Sequence, residues 1–339
     1  MATLAQIFNR ELLLSYIAPD PLKRSPLVQS GAFASDPRLR PLLTSGSKTF
    51  EVPYINGIDS NLEPNYGNTI ITDIAVPREI DAGSMGGRVA FLNEGFQESN
   101  LGRYLSQVNA LEVIGGLIDG MWQGVGENRA RATVTGLRNY DWANGKKLTT
   151  DISKTSSANE ASGFSVDAFI DAEATMGRGM RGNGVIFVHP LVAAKMRKQK
   201  LVEKVTTSDN LPPVDVYNGR TVIETDFGTK IGTGVNAQFI SILASNGAFS
   251  YDQVPGEDDL EVERTGGTGN GAGHRILRTR RNILIHPQGF SFIAPENTLT
   301  GGTKNEALSA SWGDLQKAEN WEMVNGASAV PFRFLITNL

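Results

Sequence analysis

The sequence predicts an α+β fold in which an extended two-stranded hairpin and a long helix precede an α/β domain and a closing set of strands. Three observations point there. Residues 49–76 hold two extended runs around a turn-rich segment. Leu101–Leu137 carries apolar residues at spacings of three and four, the period of one helix face. From Ser165 onward, short helical and strand patterns alternate.

Composition sets the outer limits. A chain of 339 residues can bury a large core and is expected to form about two domains. With 40% hydrophobic and 20% charged residues it reads as soluble and globular. No apolar run approaches the ~20 residues of a membrane span, so no membrane partner is expected. Met1–Gln6 lacks the basic and apolar regions of a signal peptide. The net charge of −4 argues against a dedicated DNA-coating protein. The absence of cysteine excludes disulfides, thiol catalysis and Cys-ligated metals, and fits a cytoplasmic protein.

Residues 1–48 read as an arm, with a short helix over Leu4–Ile17 and then prolines at 19, 21, 26, 37 and 41 that forbid a continuous helix. The hairpin follows. Its runs are Thr49–Ile55 and Thr69–Val76, joined by Gly57–Asn68, which is rich in turn formers. A lone hairpin is marginal in water, so this one is expected to rest on a neighbouring subunit. The arm holds six basic against three acidic residues, whereas 49–91 holds six acidic against two basic. That contrast is either ordinary surface charge or complementary contact between subunits. On the second reading the contact residues are Arg38 and Arg40 of the arm with Glu51, Tyr54, Asp59, Glu63, Asp73, Arg78 and Glu79 of the hairpin.

The helical pattern of 101–137 is interrupted by Gly115, Gly116, Gly120, Gly124 and Gly126. Each costs roughly 1 kcal/mol in a helix interior. Gly116, Gly120 and Gly124 form a smooth stripe, so the expectation is one long helix, kinked or straight, packed closely on a sheet. Residues 139–163 read as a loop. Ser165 is placed to cap a helix over Val166–Met176, with Phe169 and Ile170 on its apolar side. Gly184–Val188 reads as a buried strand ended by His189-Pro190, and Leu191–Gln199 as a short basic helix. Thr221–Glu224, Phe239–Leu243, Ile283–Ile293, Trp321–Val324 and Phe332–Ile336 read as further strands.

No constellation for chemistry emerges. His189, His274 and His286 lie in no zinc-binding spacing, and there is no Gly-x-Ser-x-Gly elbow. No catalytic, cofactor or metal residue is assigned. Gly266–Gly273 lacks the Gly-Lys-Ser/Thr ending of a phosphate loop and reads as a hairpin tip. Arg275, Arg278, Arg280 and Arg281 follow that tip, and acidic residues precede it. Folding about the glycines sets Val262 opposite Leu277, Glu261 opposite Arg278 and Asp259 opposite Arg280. Those pairs favour structural ion pairing over nucleic-acid binding.

Six stretches, in order, resemble one branch of the major capsid proteins of tailed bacteriophages, which have the Hong Kong 97 fold. They are Ser25–Gly31, Phe50–Tyr54, Phe164–Ala172, Val188–Pro190, Tyr217–Ile223 and Ile285–Phe290. The resemblance implies an N-terminal arm (1–48), an extended loop (49–95), a peripheral domain with a spine helix (96–149), an axial domain (150–256) and strands returning to the peripheral domain (257–339). It implies copies joined as pentamers and hexamers in an icosahedral shell around double-stranded DNA, assembled in the host cytoplasm, with scaffold, portal and cement or decoration proteins as further partners. The expected mild negative charge would let DNA pack without sticking. Two departures stand out. A long N-terminal scaffolding segment is missing, so it is expected to be cleaved or replaced by a separate scaffold. Residues 49–91 hold no lysine, which removes the crosslinking chemistry some members use. The alternatives are an encapsulin-type shell, or an α/β enzyme or sugar-binding protein with its pocket near Val188-His189-Pro190.

Overall fold

The computed structural model describes residues 28, 30–46, 48–55, 63–79, 82–106, 110–115, 117–205, 214–225, 230–294 and 309–339. The expected helix at Leu4–Ile17, the turn at 57–62 and Asp59 lie outside the described residues.

Two sheets carry the architecture. The first has five strands: β1 (Phe33–Ala34), β2 (Thr49–Ile55), β3 (Ala82–Ser99), β11 (Phe249–Thr265) and β12 (His274–Pro287). Their order is β1-β11-β12-β3-β2. The second has eight: β4 (Thr149–Asp151), β5 (Gly184–Val188), β6 (Glu203–Val205), β7 (Val214–Tyr217), β8 (Arg220–Glu224), β9 (Lys230–Ile231), β10 (Gln238–Ala244) and β15 (Phe332–Thr337). Its order is β4-β15-β10-β5-β8-β7-β6, with β9 beside β10. β13 (Phe290–Phe292) and β14 (Trp321–Met323) form a small ribbon. Helices α1 (Asn100–Ser106), α2 (Ala110–Gly115), α3 (Ile118–Ala143), α4 (Val166–Ala174), α5 (Pro190–Lys198) and α6 (Trp312–Gln316) complete the chain.

The hairpin differs from its expected form. β2 pairs antiparallel with β3, from Thr49 opposite Arg88 to Ile55 opposite Ala82. The run Thr69–Val76 forms no strand; residues 63–79 contain neither helix nor strand. β3 is poor in strand formers because of Gly83, Gly86 and Gly87. The ladder compensates by laying aromatic rings over two of them. Tyr54 lies opposite Gly83 and Phe50 opposite Gly87, close enough that a Cβ at Gly83 would sit 2.5 Å from Tyr54 Oη. Pro53 stands within β2, which is the outer strand of this sheet.

The long helix is broken. Leu101–Leu137 resolves into α1, α2 and the 26-residue α3, which runs on to Ala143 through residues expected as loop. α3 stops where the Asn144 N–H turns back to the Tyr140 and Asp141 carbonyls and Gly145 takes φ +92°. The close approach along α3 is not at Gly124, where a Cβ would meet open space. It is at Gly126, under Tyr251, and at Gly136, under Leu315 O and Trp321 Nε1.

Alternation along the strands builds a core on both faces of the eight-stranded sheet. Val185 and Phe187 of β5, with Phe332 and Phe334 of β15, pack with Ala130, Val134 and Leu137 of α3. Ile186 and Val188 pack with Phe169 of α4 and Val192 and Met196 of α5. Ile170, expected beside Phe169, is instead exposed. β15, grouped by sequence with strands returning to the long helix, is hydrogen-bonded between β4 and β10. Each fully buried Phe or Leu here contributes about 1.5–3 kcal/mol. The caps follow the sequence: Ser165 Oγ accepts from the Ala168 N–H, and His189 Nδ1 from the Leu191 N–H.

Candidate assembly interface

Residues 63–79 project from the β2–β3 ladder, and every one is exposed. They include five large apolar side chains: Tyr66, Ile70, Ile71, Ile74 and Val76. Ile71 is 99% and Ile74 88% exposed, values that a folded chain in water does not assign to a core segment. The backbone is nonetheless held in shape by its own polar groups. Asn65 Nδ2 donates to Val76 O (3.2 Å), Tyr66 Oη to Glu63 Oε1 (2.9 Å) and Asn68 Nδ2 to Asp73 Oδ2 (2.6 Å). The Ile70 N–H donates to Asn68 Oδ1 (2.9 Å), and Arg78 donates to the Glu63 carbonyl. Polar side chains thus fold the tip inward on itself and leave its isoleucines outward. The exposed apolar side chains sit on a backbone fixed by its own hydrogen bonds.

The sequence-nominated contact residues fall into two groups. Glu63, Asp73 and Arg78 are engaged inside the tip, and Tyr54 covers Gly83. Arg38 is bound by Asp36 of its own chain, Nη2 to Oδ2 at 2.8 Å and Nε to Oδ1 at 3.1 Å. That bond holds the Asp36 carboxyl below the usual carboxylate range. Arg40, Glu51 and Glu79 are exposed. The described part of the arm lies on its own sheet. β1 pairs parallel with β11, Asp252 accepts from Ser35 Oγ (2.7 Å) and the Asp36 N–H (3.2 Å), and Leu39 and Leu43 are buried against Phe50, Val89 and Leu284. The isoleucines of the tip went unnamed as contacts because a β-branched run reads as a strand.

The β11–β12 hairpin keeps the expected register at Val262 opposite Leu277 and Glu261 opposite Arg278. A bulge between Pro255 and Leu260 removes Asp259 from the place opposite Arg280. The ion pairs run diagonally: Arg278 to Glu263 (2.8 Å), Arg280 to Glu261 (2.7 Å), and Arg281 to Asp259 and to Asp119 of α3 (3.0 Å for the latter). Strand twist brings the diagonal neighbour within reach of the long guanidinium.

No family model matches the chain. Similar folds occur in the capsid of Ralstonia phage GP4 (TM-score 0.54, 9% identity, 81% of this chain and 90% of that one) and in the cyanophage Pam1 capsid (0.53, 9%, 95% and 94%). Mycobacterium phage Bobi supplies a third (0.50, 13%, 97% and 98%). At these identities the likeness carries the fold alone. In sequence, the chain is 26% identical over 332 residues to the major capsid protein of Bacillus phage SPP1, across 95% of this chain and 93% of that one. The chain is similar to that phage major capsid protein from end to end. The resemblance drawn from the six stretches is therefore upheld along nearly the whole chain.

Buried ionisable groups hold the fold. Arg220 is fully buried, bound to Glu173 (Nε to Oε1, 3.0 Å) and to the Ala244 and Met180 carbonyls. Arg333 gathers the carbonyls of Thr175, Ala327, Val330 and Phe332. Glu127 of α3 accepts from the Val28 N–H (2.9 Å), and burial pushes its carboxyl up to about 7. Burial brings the His286 imidazole, edge-on to Phe50, down to about 4. His189 serves as a helix cap against Phe239, which leaves it in a structural role. Among the described residues no group of three His, Asp or Glu is placed to hold a metal, and no helix is long and apolar enough to cross a membrane.

Proposed function

We propose that this phage major capsid protein forms its shell through the tip at 63–79, which lies over an adjacent copy in the manner of a Hong Kong 97-type extended loop. The observation that carries the reading is the tip itself: five exposed apolar side chains on a backbone fixed by its own hydrogen bonds. Such a surface is complete only when a second copy covers it. Head-to-tail contacts of this kind close into rings, here pentamers and hexamers, and rings into an icosahedral shell around double-stranded DNA. In this reading 1–48 is the arm and 49–95 the extended loop. Residues 96–149 and 257–331 make the peripheral domain, and 150–256, joined by β15, the axial domain. Glu51, Glu79 and Arg40 are the exposed charges left to steer neighbours into register. Scaffold, portal and cement proteins are the further partners, the particle assembles in the host cytoplasm, and no catalytic step is assigned.

The test is the double variant Ile71→Ser, Ile74→Ser. Both side chains are solvated in the single chain, so subunit stability by urea denaturation should change by less than about 0.5 kcal/mol. Closed particles should disappear from negative-stain images. Normal particles from this variant would remove the tip from assembly, and a wild-type chain that stays monomeric would sink the shell reading altogether.

A further inference from the structure

A recessed cavity of about 20 Å3 lies where α3 meets the five-stranded sheet. That is room for a single water-sized particle. Most of its wall is apolar, including Ile285, Phe292 and Trp321. Three polar side chains also line it: Arg88 of β3 and Arg129 and Thr133 of α3. Arg129 and Thr133 are four residues apart, so they share one face of the helix.

Among the described residues Arg129 has no counter-charge at this cavity. Arg129 is 7% exposed and gives Nη1 to the Ala310 carbonyl at 3.0 Å. Among the described residues it makes no ion pair and no carboxylate lines the cavity. Burial brings its guanidinium down to about 10, so it remains cationic at neutral pH. Thr133 is 1% exposed, and its Oγ1 has no hydrogen-bond partner. A buried cation without a counter-charge is heavily penalised, and so is a buried hydroxyl without a partner.

We propose that this cavity binds one small monovalent anion, a halide, held by the Arg129 guanidinium and the Thr133 hydroxyl. Size favours the class: the small, mostly apolar space suits a monatomic anion better than phosphate, sulfate or a carboxylate with several oxygens to satisfy. Polarity selects it again. Both groups can turn an N–H or O–H inward, and a guanidinium has no acceptor to offer a cation. A water could meet the hydroxyl but would leave the positive charge unbalanced. A bound halide braces α3 against β3 and the segment at Ala310. The proposal stands independently of the assembly reading.

The experiment uses the full chain as unassembled subunits. Thermal melting is followed as sodium chloride or bromide replaces sodium gluconate at fixed ionic strength, gluconate being too large to enter. The wild type should show a saturable rise in melting temperature with halide. Thr133→Val removes the hydroxyl and should weaken apparent halide affinity roughly tenfold, equivalent to about 1.4 kcal/mol. Thr133→Ser keeps the hydroxyl and should retain the affinity. In a structure determined from bromide, an anomalous peak should lie between Arg129 and Thr133. Equal melting in chloride and gluconate would overturn the proposal. So would a halide effect that survives Thr133→Val, or a water and no bromide in the cavity.

Discussion

Two glycines on the same helix should respond to the same substitution with opposite signs. A Cβ at Gly136 would lie inside contact distance of Leu315 O and 2.5 Å from Trp321 Nε1. Those two atoms are themselves hydrogen-bonded at 2.8 Å. Gly136→Ala must therefore push α3 away from the α6–β14 segment or break that bond. Overpacking costs about 1–3 kcal/mol, and a net hydrogen bond about 1 kcal/mol. Alanine returns about 1 kcal/mol of helix propensity. The expected outcome is a loss of about 2 kcal/mol. At Gly124 a Cβ meets nothing within 4 Å. Gly124→Ala should keep the propensity gain alone and stabilise by up to about 1 kcal/mol. Urea denaturation of unassembled subunits measures both, with tryptophan fluorescence reporting on Trp321. If Gly136→Ala proved as stable as wild type, or Gly124→Ala the worse of the two, the packing of α3 derived above would be wrong.

Glu173→Gln leaves buried Arg220 without its counter-charge and should cost about 3 kcal/mol, read from the same denaturation curves. Glu127 gives a pH signature. Its folded-state pKa of about 7 lies above its ordinary value, so the ionised form is penalised in the fold and stability falls as pH rises from about 4.5 to 7. Glu127→Gln keeps an acceptor for the Val28 N–H and should be the more stable protein at pH 8, by about 3 kcal/mol, while matching wild type near pH 4.5. His286 acts on the acid side. With its folded-state pKa at about 4, it folds neutral, so its contribution is intact above pH 6.5 and is lost as pH falls toward 4. His286→Leu should flatten that part of the stability–pH curve.

Much of the fold was legible because local and global signals agreed. β5 reads as a bounded apolar run, α4 and α5 carry their own caps, and the β11–β12 register follows from glycines between charges of opposite sign. The failures have specific causes. The true partner of β2 is rich in glycine, and its deficit is repaired by rings on the opposite strand, which propensity along one strand does not show. The long helical pattern ends in α2 at Gly115, and α3 continues to Ala143 through residues that read as loop. For the interface, the sequence drew attention to charge, yet Arg38, Glu63, Asp73 and Arg78 bond within their own chain. The isoleucines beside them carry a strand pattern, and only the three-dimensional fold shows that no strand pairs with it.

The placement of β2 has a bearing on how such chains avoid the wrong kind of association. An outer strand is a template on which a second chain can add its own backbone, the route to fibres. Pro53 lacks an N–H, so the outer edge at β2 cannot offer an uninterrupted row of donors. The opposite edge, β1, is two residues long, and the end strands of the larger sheet, β4 and β6, are three residues each. The open backbone lies elsewhere: β11 runs on from Tyr251 to Thr265 past its two-residue partner β1, and β3 runs on from Val89 to Ser99 past β2. Along those stretches it is charge that guards against added strands: Arg278 with Glu263 and Arg280 with Glu261 keep paired ions on the β11–β12 hairpin.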